Sequence, residues 1–230
     1  MKKITLLFLL ISILCSCQEN KKTEDPTENF KDSYKVQKGS GTLVENTDHF
    51  DSIKNIYSNY KYNVAFDAPD YWVTDNGVSD HTILRTFDQD SAIGIAINVI
   101  ETKFDPNKNI WEIYDANPEQ TEKMFKQTII AQLNSQIREY SIQKTYIKNV
   151  PSIKRKFIHT IRDGEIEYDN VNIIQQVVKG NYYYTFSVFV PKMFYDENPD
   201  YYDKFFLNLY FLIDKEKTKN IINSNLKKEN

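Results

Sequence analysis

Cysteine is almost missing from this 230-residue chain: Cys15 and Cys17 are the only two, one residue apart near the N-terminus. Redox and zinc motifs usually place two residues between paired cysteines, and here there is one. Zinc would also require further ligands, but His49, His81 and His159 are the only histidines and lie far apart in the chain. Glycine is scarce, with 6 residues, and no glycine-rich phosphate loop occurs. No serine lies in a G-x-S-x-G setting. A basic excess is lacking as well, with net charge −3 and pI near 5.7, which argues against nucleic acid as a partner. The sequence implies no cofactor. Nor is the apolar run Ile4 to Leu14 long enough to cross a bilayer. As a helix it would measure roughly 16 Å against a core of about 30 Å.

What that run does fit is the apolar segment of a secretory signal peptide, with Lys2 and Lys3 as its positive flank. It leads into Leu14-Cys15-Ser16-Cys17. This stretch resembles the bacterial lipoprotein lipobox, with Leu at −3, a small Ser at −1 and Cys at +1. The resemblance implies that residues 1–16 are removed, that Cys17 carries a diacylglycerol, and that its new amino group is acylated. The bilayer is then a partner through acylated Cys17. Two or more acyl chains are what stable anchoring needs, because one chain holds only marginally. Cys15 leaves with the signal, so the mature chain has no thiol for a disulfide. Gln18 at +2 is not the Asp associated with inner-membrane retention, so the outer membrane is the expected address in the cell envelope.

Composition shifts along what remains. Residues 17–50 are polar, with a Gly-Ser-Gly step at 39–41, and lack the apolar periodicity needed to bury anything. They read as a disordered tether, which as a flexible coil would hold a domain on average roughly 30 Å from the lipid. Residues 51–214 carry the patterns of a single domain, and 215–230 read as a polar tail. Lysine outnumbers arginine 25 to 4, and Asn, Ile and Tyr are plentiful.

Inside the domain, Tyr62, Val64 and Phe66 alternate with Asn63, Ala65 and Asp67, which is strand periodicity, and Pro69 ends it before Trp72. Ile83 to Phe87 and Ser91 to Thr102 predict two further strands. In the second, Ile93, Ile95, Ile97 and Val99 face one way and Ala92, Gly94 and Ala96 the other, so a helix is expected against the small-residue side. Asn117-Pro118-Glu119-Gln120 reads as a helix start. Phe125, Ile129, Leu133 and Ile137, spaced four apart, predict about five turns of amphipathic helix. Strands return from Ile142, with hairpins expected at Asp163-Gly164 and Lys179-Gly180-Asn181. Asn198-Pro199 predicts a last helix, carrying Tyr202, Phe205, Phe206, Leu209 and Tyr210 at spacings of three and four.

The order of these elements resembles the PsbP-like family. The matching stretches are YNVAFDAPDYW at 62–72, the helix near 118–138, and GNYYYTFSVFVPKMFY at 180–195 leading into DYYDKFFLNLYFL. The resemblance implies an α+β fold, an antiparallel β-sheet with helices packed on both faces. It also implies an accessory or binding role, since members share no single activity and fold does not carry function across such a group.

Individual residues add little chemistry. His159 shares a strand face with Phe157 and Ile161 and reads as a semi-buried core residue. His81 beside Asp80 reads as a turn neighbour. Glu165, Glu167 and Asp169 alternate on one strand face, a solvated row that Lys154, Arg155 and Lys156 would neutralise across the hairpin, or else a cation site. Of the aromatic residues in the last strand and helix, Tyr183 and Tyr201 are the two whose faces are candidates for an exposed binding surface. The expectation is therefore a membrane-anchored, non-enzymatic lipoprotein that binds an envelope protein. The alternative is a small molecule or glycan held between the sheet and the C-terminal helix.

Overall fold

The computed structural model describes residues 48–51, 55–75, 81–163 and 166–212. Cys17, the signal segment, the tether up to residue 47 and the tail at 215–230 lie outside the described residues, as do Asp80, Gly164 and Glu165. Two antiparallel sheets make the frame. The smaller has the order β1-β2-β3-β11, from β1 (Asp48–Asp51), β2 (Ile56–Asn59), β3 (Val64–Asp67) and β11 (Leu209–Phe211). The larger runs β4-β5-β6-β10-β9-β8-β7. Its strands are β4 (Val73–Asp75), β5 (Thr82–Phe87), β6 (Gly94–Glu101), β7 (Ile137–Ile147), β8 (Val150–Asp163), β9 (Ile166–Lys179) and β10 (Tyr182–Pro191).

The larger sheet is covered on both faces, as expected. On one face, Ile95, Ile97 and Val99 of β6 and Tyr184, Phe186 and Val188 of β10 pack against Tyr57, Val64 and Phe66 of the smaller sheet. The chain after β10 closes the same core through α3 (Lys192–Glu197), α4 (Pro199–Asp203) and a 3-10 turn at Lys204–Asn208, where Tyr202, Phe205 and Phe206 are buried. The other face carries α1 (Ile110–Asp115) and α2 (Pro118–Leu133). Ile110 of α1 packs on Ile153 and Val178, and Phe125 and Ile129 of α2 pack on Phe157 and Ile174.

Several expectations need correction. The helix predicted to reach Ile137 stops at Leu133, because Asn134 takes a left-handed conformation (φ 46°) that caps it. Ile137 instead opens β7, yet still packs beside Phe125 and Ile129, so its periodicity followed the core and not the helix. The small-residue side of β6 meets no helix at Gly94: the ring of Phe189 lies across it, 2.5 Å from where a Cβ would stand. The last predicted helix is cut short. Leu209, Tyr210 and Phe211 leave it to pair with Phe66, Ala65 and Val64.

Turns explain how so few glycines suffice. Gly180 (φ 60°) takes the first place of the two-residue β9–β10 hairpin, as expected. Between β7 and β8 the same tight connection is made by Lys148 and Asn149, both at positive φ, which is the mirror-turn geometry that matches strand twist. Asn55, Asn63, Asn134 and Asn149 all occupy left-handed positions, the conformation that asparagine tolerates best after glycine.

Candidate functional site

Three places gather polar or aromatic groups. The first is an aromatic edge at the end of β3. Pro69 to Trp72 form a turn closed by the Trp72 N–H donating to the Pro69 carbonyl at 3.3 Å. Its third residue, Tyr71, stands at φ 68° and is fully exposed. That position favours glycine or asparagine, and a larger residue there costs of order 1–3 kcal/mol. Asn55 holds the turn from below, its Nδ2 donating to the carbonyls of Ala68 at 3.2 Å and Pro69 at 2.5 Å. Trp72 meets Phe205 edge-on at 5.3 Å, and Tyr201 meets Phe205 at 5.1 Å. Tyr201 itself is 45% exposed.

Tyr183, the other tyrosine singled out by sequence, is nowhere near this edge. It projects from the opposite face of β10, against Ile110, Ile153 and Val178. Burial pushes its phenol up to about 12, the nearby Arg155 charge pulling the other way. Tyr201 and Tyr183 therefore belong to separate surfaces.

The second place is a buried polar cluster under α2. Arg155, 2% exposed, donates from Nη2 to Glu122 Oε1 at 2.5 Å and from Nε to the same carboxylate at 3.1 Å. Its Nη1 donates to Gln176 Oε1, and the Tyr140 hydroxyl donates to Glu122. The guanidinium also lies 4.5 Å from the Phe125 ring centroid. Burial and the adjacent carboxylate hold the Tyr140 phenol far above its ordinary value, with Arg155 opposing. Sequence reading placed Arg155 across from the acidic row, and the register corrects this. Lys154, Arg155 and Lys156 face Gln175, Ile174 and Ile173, not the acids. Glu167 is met by Arg162 at 2.9 Å, and Asp169 by Arg138 and the Thr160 hydroxyl, so both carboxylates already have partners. Among the described residues, no group of three His, Asp, Glu or Cys side chains is placed to hold a metal.

The third place is a hollow of about 610 Å³ beneath the last turn of α2. It is lined by Leu133, Asn134 and Gln136 at the end of α2 and by His159, Thr160 and Arg162 of β8. His159 is 5% exposed, and its Nδ1 has no hydrogen-bond partner. Burial lowers its pKa below the ordinary 6.5, offset in part by the Thr160 backbone and Asp169. By contrast, the space between the larger sheet and the C-terminal helical segment, where a ligand was the alternative expectation, is filled. Phe205, Phe206 and Leu209 leave a cavity of about 10 Å³ there, room for about one water.

The chain matches no protein-family model and no curated protein. Among solved structures it is similar to cyanobacterial PsbP (CyanoP) from Synechocystis sp. PCC 6803 in solution. That likeness is 11% identity and a TM-score of 0.48 over 75% of this chain and 97% of the other. A crystal structure from Bacteroides thetaiotaomicron VPI-5482 is similar at 11% identity and a TM-score of 0.42, over 66% of this chain and 46% of that one. The chain thus spans less than half of the second protein. The resemblance is PsbP-like and concerns fold alone.

Proposed function

We propose that this chain is a lipid-anchored envelope protein whose folded domain binds a protein partner through the aromatic edge of Tyr71, Trp72 and Tyr201. The backbone of Tyr71 is the observation that supports this most. A tyrosine held in a glycine-type conformation, with its whole side chain in water, contributes nothing to the core and costs stability. Aromatic residues with exposed faces are what protein interfaces are enriched in. Position supports the same reading. β1 reaches the smaller sheet with Asp48 opposite Asn59, and β11 leaves it with the Leu212 N–H bound to the Asn63 carbonyl. Both lie at the Tyr60–Asn63 hairpin, at the other end of β3 from the Tyr71 turn. A tether running from Cys17 would leave that turn facing away from its own attachment point.

A photo-crosslinking residue placed at Tyr71 in intact cells tests the edge, with Lys61 at the hairpin end as the control site. A discrete protein adduct from position 71, absent from position 61 and lost on Tyr201→Ala, is expected. Equal labelling from both positions would sink the docking proposal. The anchor is tested apart from it: Cys17→Ala should move the protein out of the membrane fraction, and unchanged membrane association would overturn the lipobox reading.

A further inference from the structure

β8 outruns β7, and the hollow at the end of α2 lies along the part left over. β7 begins at Ile137, opposite His159, whereas β8 and β9 stay paired beyond it, from Thr160 opposite Asp169 to Asp163 opposite Ile166. Thr160–Asp163 therefore has β9 on one side and, among the described residues, no strand on the other. We propose that this open edge is a docking slot that takes an extended segment of a partner protein as an added strand, with an acidic side chain meeting Arg162. The slot shares no residue with the aromatic edge of Tyr71, Trp72 and Tyr201.

The lining shows where the hollow runs. Side chains alternate across a sheet, so a hollow on one face touches every second residue of a strand. This one touches His159, Thr160, Ile161 and Arg162 in succession, which places it at the edge of β8, where a neighbouring strand would lie. Residues 134–136, the link from α2 into β7, bound it on the far side. Thr160–Asp163 keeps an unbroken register with β9, with no bulge to twist the edge away. Alternate residues along it turn their N–H and C=O groups away from β9. Over about 13 Å of strand, at roughly 3.3 Å per residue, these groups form the half of a ladder that an extended chain completes.

Charge and shape describe the occupant. Ile130, Leu133 and Ile161 line the slot, so side chains of the incoming strand on that face are aliphatic. Among the described residues that line the hollow, Arg162 carries the only charge. It is 78% exposed and engaged through Nε alone, by Glu167 at 2.9 Å, which leaves both Nη groups for a carboxylate. As strand neighbours, Ile161 and Arg162 point to opposite faces. The alternate side chains of the incoming strand thus meet Arg162, and an acid among them fits. A small free carboxylate would meet Arg162 but leave the edge unpaired and the aliphatic side empty.

The test uses residues 17–230 with Cys17→Ser, followed by amide and methyl NMR. The probe is the peptide acetyl-Val-Glu-Val-Glu-Val-amide, compared with acetyl-Val-Lys-Val-Lys-Val-amide and with sodium acetate. The acidic peptide should saturate, shift Ile130, Leu133 and Ile161, and slow hydrogen exchange of edge amides within Thr160–Asp163. Methylating the backbone nitrogens of its Glu residues, or else those of its Val residues, should abolish binding in one case and spare it in the other, since alternate N–H groups face the edge. Arg162→Glu, a change on an exposed side chain, should weaken the acidic peptide by about threefold or more and favour the lysine peptide instead. Edge amides already protected in the free protein would show that a segment of the same chain fills the slot. Protection that grows with protein concentration would show a second copy there. Either result overturns the proposal. So does failure of the acidic peptide to saturate, binding spared by both methylation patterns, or acetate reproducing the shifts of the peptide.

Discussion

Glu122 of α2 and Arg155 of β8 are 33 residues apart in sequence and joined by a two-pronged ion pair beneath the helix. The arginine is nearly sealed from water, so its charge depends on that carboxylate. Removing one member of such a pair strands the other, which costs more than the pair itself contributes. Glu122→Gln should therefore destabilise the domain by about 3 kcal/mol. Adding Arg155→Met to it should recover part of the loss. Urea unfolding of the two single variants and the double one measures the coupling, and simple additivity would mean the pair is not a unit.

Gly94 is constrained from outside its own strand. A methyl group there would stand 2.5 Å from the Phe189 ring, so the ring would have to move. Gly94→Ala should cost about 1–3 kcal/mol, as overpacking typically does. Phe189→Leu in the same molecule should return some of it. A Tm for Gly94→Ala equal to that of the parent would show that Phe189 shifts freely.

Acid should weaken the domain through His159. Burial depresses its folded pKa below the ordinary 6.5, so below about pH 6.5 the unfolded chain binds a proton that the folded one resists. The stability linked to this residue is complete above that pH and is lost as pH falls through the folded value. Thermal unfolding between pH 7.5 and 5, compared for the parent and His159→Phe, should show a flatter dependence in the variant. Parallel curves would place the acid sensitivity elsewhere.

Tyr71 should separate binding from stability. Tyr71→Gly relieves a strained backbone, so the Tm should hold or rise while capture of the partner fails. A clear fall in Tm would mean that the tyrosine supports the fold, against the docking proposal.

Sequence made the frame legible wherever an element's own residues carry the pattern. β6 and β10 alternate plainly, Asn117 and Pro118 mark the start of α2, and Gly180 marks its hairpin. It failed where the partner is distant. β11 is three residues long and is a strand only because β3 is there to pair with it, so its Leu209 and Tyr210 read as helix. α1 is six residues long and too short to show periodicity. The Lys148-Asn149 turn lacks the glycine that marks such turns. For the site, Tyr201 was legible as half-exposed, but Tyr183 was not legible as a residue packed beneath α1, because strand alternation gives sides and not what covers them. One signal for the buried cluster was present. In a chain of 25 lysines and 4 arginines, an arginine marks a place where a planar, two-pronged cation is needed, and Arg138, Arg155 and Arg162 each hold a carboxylate.

β1 begins and β11 ends at the same end of the smaller sheet, on its two opposite edges, which makes the domain a convenient module. Asp48 pairs beside Asn59, and Leu212 binds Asn63 across the same hairpin, so a short linker could join the described ends and the chain be reopened elsewhere. A reporter or immobilising tag added at either end would project from that side. The turn carrying Tyr71 would stay clear of it, which lets the protein be displayed on a surface with its aromatic edge outward.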